Sequence, residues 1–156
     1  MLASNAADNQ PLPLETLDVL LIELAGELYA LPSASVREVV RYRDYTPVPG
    51  APPSLPGILN QRGTIMAVVD LALLLGLASP PPTRATRLVL AAHDEIDLAL
   101  LAERVVDLVA LPIDTIDPVP TGLDPARSRY LRGVVHYDNR PVALLDLSEL
   151  IAGLRA

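Results

Sequence analysis

The chain repeats itself. Gly57-Ile58-Leu59-Asn60-Gln61-Arg62-Gly63-Thr64-Ile65-Met66-Ala67-Val68-Val69-Asp70-Leu71 returns as Gly133-Val134-Val135-His136-Tyr137-Asp138-Asn139-Arg140-Pro141-Val142-Ala143-Leu144-Leu145-Asp146-Leu147. Both copies place an Asp 13 residues after the Gly. Each copy reads as strand, tight turn, strand and helix start. Such self-similarity constrains the fold more than any single motif, because it makes the chain one fold unit used twice.

The flanking segments follow the same plan. Residues 17–24 read as a strand buried over most of its length, turned by Ala25-Gly26-Glu27 into a return at residues 28–31. Val36-Arg37-Glu38-Val39-Val40-Arg41-Tyr42 reads as a further strand, with a short helix as the alternative. In the second half, residues 87–92 and 96–101 flank His93-Asp94-Glu95, and Val105 to Val109 match Val36 to Val40 at an offset of 69. After the Pro-rich loop of residues 43–56 the offset becomes 76, so the second loop is 7 residues longer. Insertions are tolerated in loops. Five short strands per half predict two small β-barrels. Residues 1–15, polar and carrying Pro11 and Pro13, are expected to be a flexible tail. Residues 16–155 form one domain, with halves at about 16–79 and 83–155 joined by Pro80-Pro81-Pro82. Asp70 and Asp146 each precede a short apolar helix and are expected to cap it, Asp146 with Glu149 as a capping box.

Composition narrows the function. Apolar residues are 51%, with no Phe or Trp, so the core is aliphatic. No apolar run approaches the roughly 18 residues of a membrane helix, and no secretion signal is evident, so a cytoplasmic protein is expected. Net charge is −7 and all 12 basic residues are Arg. An acidic chain without a basic stripe is a poor binder of nucleic acid or anionic membrane. Cys is absent, which excludes disulfides and thiolate metal sites.

Enzyme signatures are missing. There is no phosphate loop, no dinucleotide fingerprint, no nucleophile elbow and no HExxH helix. His93, in a turn beside Asp94 and Glu95, reads as solvated, and His136 as packed or exposed. The carboxylates of residues 94–97 read as an acidic turn, and no metal or cofactor is expected. Binding remains. Asn60 or Gly63 can supply the positive φ of a tight turn, with Arg62 at its tip. A solvated turn arginine is the ordinary reading of Arg62. Alternation puts Val36, Glu38 and Val40 on one strand face, a mixed face that suits an interface rim or an edge strand.

These residues resemble the CheW family of bacterial chemotaxis adaptors from about Leu17 to Leu154. The specific elements are Val36-Arg37-Glu38-Val39-Val40, then Pro56-Gly57-Ile58-Leu59-Asn60-Gln61-Arg62-Gly63, then Val68-Val69-Asp70-Leu71. Leu131-Arg132-Gly133-Val134 and Leu144-Leu145-Asp146-Leu147 add to it. The resemblance implies a mainly β fold of two SH3-like five-stranded barrels packed together, with short helices and a hydrophobic groove between them. It implies a non-enzymatic scaffold in the cytoplasm, recruited to receptor arrays at the inner face of the membrane. The implied partners are the regulatory domain of a CheA-like histidine kinase and the cytoplasmic tip of methyl-accepting chemoreceptors. Glu38 and Arg62 match family positions tied to that coupling, and Val36, Gly57 and Asn60 align with the same surfaces. Val105, Leu108 and Val109 are the expected apolar lining of the groove. Departures are Gln61 in place of an apolar residue, Met66-Ala67 where a Pro is common, and the lack of Phe and Lys. The alternatives are a scaffold of a non-flagellar pathway and a small-molecule sensor using the inter-barrel groove.

Overall fold

The computed structural model describes residues 15–155. The tail expected at residues 1–15 therefore lies, apart from Glu15, outside the described residues. The first half contains β1 (Thr16–Leu24), β2 (Glu27–Pro32), β3 (Val36–Arg41), β4 (Thr46–Pro47), β5 (Gly57–Gln61), β6 (Thr64–Asp70) and α1 (Leu71–Leu74). The second contains β7 (Arg87–His93), β8 (Ile96–Ala102), β9 (Arg104–Pro112), α2 (Pro125–Ser128), β10 (Leu131–Tyr137), β11 (Arg140–Leu145) and α3 (Leu147–Arg155). The mainly β expectation holds. The short apolar helix expected after Asp70 is a single turn, ended where Gly76 turns the chain at a φ of +76°.

Each sheet draws on both halves of the sequence. One runs β10-β11-β2-β1-β9, the other β3-β7-β8-β6-β5-β4. Hairpin β1–β2 leaves its own half and inserts between β11 and β9, while β7–β8 inserts between β3 and β6. The joins match: β2 lies parallel to β11, and β8 lies parallel to β6. The repeat is thus a property of the sequence, and the packing units cross it.

The reason lies in alternation. Val19, Leu21, Leu28 and Ala30 fill the interior of the first sheet with Leu111, Val135, Val142 and Leu144. Their neighbours Leu20, Ile22, Tyr29 and Leu31 point the other way, into the largest apolar cluster. There they meet Val89, Ala91, Leu98 and Leu100 from the second sheet. Leu88, Leu90 and Ala99 face back into that sheet's own interior with Leu59, Met66 and Val68. Both faces of the exchanged hairpins are buried, which accounts for their near-continuous apolar sequence.

Two glycines close the sheets. After β3 the chain crosses to the opposite edge and pairs as β4 with Gly57 and Ile58. After β9 it does the same through Asp117, which exchanges backbone hydrogen bonds of 2.8 and 2.9 Å with Val134. A Cβ at Gly57 would overlap the Thr46 carbonyl and the Tyr45 ring; one at Gly133 would sit 2.6 Å from the Asp117 carbonyl oxygen. The repeat begins with Gly because another strand passes over it. Its terminal Asp residues are caps. Asp70, 8% exposed, accepts from the Leu73 N–H at 3.1 Å and the Ser79 hydroxyl at 2.7 Å. Asp146 accepts from the Glu149 N–H at 3.2 Å. The expected capping box is not closed. The Asp146 N–H donates to the Tyr130 carbonyl at 2.8 Å, and the Glu149 carboxylate lies 3.9 Å from Arg129 Nε instead.

Two outcomes follow from this packing. Gly57→Ala and Gly133→Ala should each cost about 1–3 kcal/mol through overpacking, seen as a lower urea midpoint at constant slope; an unchanged midpoint would show that the crossing segments move aside freely. Tyr29 is 1% exposed. Burial, aided by the Glu27 carboxylate, pushes its pKa from 10.0 up to about 12. The folded state therefore holds this proton more tightly, so its contribution is complete below pH 10.0 and lost as pH rises towards 12. Alkaline unfolding monitored by circular dichroism should show that loss, of the order of 2–3 kcal/mol, and Tyr29→Phe should flatten it.

Candidate functional site

Arg62 and Gly63 form the two-residue turn between β5 and β6, with φ of +51° and +86°. Two positive φ values define the turn that matches strand twist. Gly63 takes the conformation expected of Asn60 or Gly63. Asn60 serves differently: its side-chain oxygen accepts from the Gly63 N–H at 2.9 Å. Arg62 occupies the left-handed region without being Gly, at a cost of about 1 kcal/mol.

That backbone aims the guanidinium at Glu38 on β3. Arg62 Nη2 donates to Oε1 at 3.1 Å and Nη1 to Oε2 at 3.3 Å. The pair spans the mouth of the second sheet, over Met66 and Leu90. The Arg62 side chain is 76% exposed and that of Glu38 34%. An ion pair this exposed contributes about 0–1 kcal/mol, so stability does not explain it. The repeat gives a second reason. The positions equivalent to Glu38 and Arg62 hold Asp107 and Asp138, yet the second copy builds the same hairpin.

The other predicted site residues are dispersed. Val36 is half-buried against the inter-sheet cluster. Gly57 is buried beneath the crossing strand, while Asn60 is exposed at the turn. Val105 packs on the inter-sheet cluster and Val109 on the interior of the first sheet. Leu108 is 65% exposed. These three do not form one lining: Leu108 and Val109 are adjacent and face opposite sides, and the skipped Val106 in the β1–β9 register puts Val105 and Val109 on different faces. Sequence reasoning missed two features beside the turn. Ile65, 58% exposed, stands opposite Asn60 in the ladder, with Ile58 also exposed on β5. Arg43 donates to the Asn60 carbonyl at 2.7 Å and to Gln61 Oε1 at 2.6 Å, bracing the strand that carries the turn.

One polar group looks catalytic and is not arranged as such. Ser148 Oγ lies 2.9 Å from His93 Nε2, and Asp94 Oδ2 lies 3.4 Å from the same nitrogen. A nucleophile–base–orienter relay needs the carboxylate on the other ring nitrogen. Among the described residues no cluster of His, Asp or Glu could hold a metal ion, and no helix is long and apolar enough to cross a membrane.

The family model described as the CheW-like domain matches residues 18–155. The chain belongs to the CheW-like family. It is 32% identical to the protein FrzA of Myxococcus xanthus over 127 residues, covering 80% of this chain and 79% of that protein. It is 25% identical to the chemotaxis protein CheW of Bacillus subtilis, covering 81% of each. The crystal structure of the scaffolding protein TtCheW from Thermoanaerobacter tengcongensis superposes with a TM-score of 0.78 at 24% identity, over 89% of this chain and 88% of that one. The two-sheet fold is therefore the CheW-like fold. Within it, the departure at Gln61 has a local partner in Arg43.

Arg62→Asn should separate fold from site. Asn tolerates the left-handed region, and the lost exposed pair is worth no more than about 1 kcal/mol. The thermal midpoint should match or exceed that of the parent, and a drop of several degrees would assign Arg62 a structural role.

Proposed function

We propose that this CheW-like protein is a non-enzymatic adaptor that couples methyl-accepting chemoreceptors to the regulatory domain of a CheA-type histidine kinase. Its place would be at receptor arrays on the inner face of the membrane. The observation that carries the reading is the exposed Glu38–Arg62 fork. It is built at the cost of a left-handed arginine, adds little stability, and is absent from the second copy of the same hairpin. Exposed apolar side chains at Ile58 and Ile65 beside it suit a protein surface with a charged rim. Val36 and Asn60 flank this surface; Gly57 supports it from within. The output pathway stays open, since relatives of comparable identity carry chemotaxis names and the name FrzA alike.

A second reading, ligand sensing, has one observation in its favour. An apolar recess of about 380 Å³ is lined by Leu28, Tyr29, Leu123, Arg127, Leu131 and Arg140. It lies on the first sheet, not between the sheets, where the largest apolar cluster is packed. Of its two arginines one is hydrogen-bonded and the other is only ion-paired, the buried Nε of Arg127 having no hydrogen-bond partner among the described residues. Arg140 donates to the Gly26 carbonyl at 3.0 Å, and Arg127 lies 3.6 Å from the Glu27 carboxylate. The adaptor reading is therefore preferred.

Titration calorimetry against the regulatory domain of the organism's own CheA-like kinase tests it. Binding at micromolar Kd or tighter, about −8 kcal/mol, is expected, with Glu38→Ala and Arg62→Ala weakening it while circular dichroism is unchanged. Absence of heat with every CheA-like partner would rule out the kinase-coupling role.

A further inference from the structure

Three arginines share one open cleft at the end of β3. Arg41, Arg84 and Arg87 line it with Tyr42, Thr83 and Thr86. Arg41 and Arg87 are direct cross-strand partners in the β3–β7 ladder. Like charges opposed in a ladder are destabilising, and none of the three is ion-paired among the described residues. In a chain with 19 carboxylates against 12 arginines, carboxylates for pairing are plentiful. Asp44, three residues from Arg41, is exposed and unpaired with them. Arg87 is also held in place, its Nη1 donating to the carbonyls of Arg84 at 2.8 Å and Thr86 at 2.9 Å. The cleft thus concentrates positive charge and hydrogen-bond donors on an otherwise acidic molecule.

We propose that this cleft docks an acidic segment of a partner protein, its carboxylates engaging Arg41, Arg84 and Arg87. Guanidinium forks match carboxylates in geometry and charge. The cleft is open to solvent, with a volume of about 490 Å³, which leaves room for a chain segment lying across it. Arg41 stands on the outer face of β3, which it shares with the exposed Val39, while Glu38, three residues and roughly 10 Å away along the strand, points to the other face. The choice of a protein occupant rests on the adaptor reading; the charge argument does not.

The full chain would be titrated with fluorescent hexaglutamate, and with hexaglutamine as the neutral counterpart. Anisotropy should report binding of hexaglutamate alone, weakening as salt is raised. The double variant Arg41→Gln/Arg84→Gln should lose about tenfold or more in affinity, while Arg132→Gln on β10 should lose nothing. Arg87 is left intact because it ties backbone carbonyls. The double variant should unfold at the same temperature or higher, since an opposed charge pair is relieved. No hexaglutamate binding by the parent, or equal binding by the double variant, overturns the proposal. So does tighter binding of inorganic phosphate or of anionic lipid vesicles through the same arginines, which would reassign the cleft to those ligands. Glu38→Ala keeps the two readings apart. If the adaptor reading alone fails, the kinase domain does not bind but hexaglutamate still does; if the cleft alone fails, the reverse holds.

Discussion

Burial on both faces of two exchanged hairpins organises this molecule. β1–β2 and β7–β8 each send alternate side chains into a sheet interior and into the space between the sheets. A hairpin apolar on one face could remain in its own half. One apolar on both faces must be covered twice, and sitting at the centre of a sheet that packs on a second sheet achieves that. Each fully buried aliphatic side chain contributes about 1.5–3 kcal/mol. Neither half could form its sheet alone, because each lends its central hairpin to the other. Unfolding of the two sheets is therefore coupled through chain connectivity as well as through their shared core.

The remaining architecture is a set of local answers to that exchange. With the hairpins placed, the chain must travel from one sheet edge to the other, and it does so directly over Gly57 and Gly133. The helices then cover exposed ends, held by Asp70 and Asp146. Two-residue turns with positive φ at Ala25-Gly26, Arg62-Gly63, Asp94-Glu95 and Asp138-Asn139 close the four hairpins. Three of these turns place a charged residue in the left-handed region. Among the described residues, only at Arg62 does that residue reach an opposite charge on another strand, β3, which its own hairpin does not pair with.

The broken symmetry at that point separates fold from function. A repeat supplies its own control: whatever both copies keep is needed to build the sheet, and whatever one copy alone has is free to serve something else. The glycines and the caps are in both copies. The Glu38–Arg62 fork is in one. The arginine cleft belongs to neither copy, because Arg41 on β3 meets Arg87 on β7 only through the pairing that joins the two halves.

The sequence by itself determined the repeat, the strand and turn positions, the capping Asp residues and the aliphatic core. All of these depend on residues close together along the chain or on alternation within one strand. It also pointed to Arg62 as an arginine that a turn does not require. Tertiary structure alone decided which strands share a sheet, since either pairing of the hairpins satisfies the same alternation. It decided that Val105 and Val109 part company, because a register shift is invisible in one strand read alone, whereas alternation already separates Leu108 from Val109. It closed the distance between Glu38 and Arg62, and between Arg41 and Arg87, through strand pairings that cross the halves of the chain. Local chemistry writes the elements; which charges meet is settled only when two-faced hairpins choose the sheet that buries them.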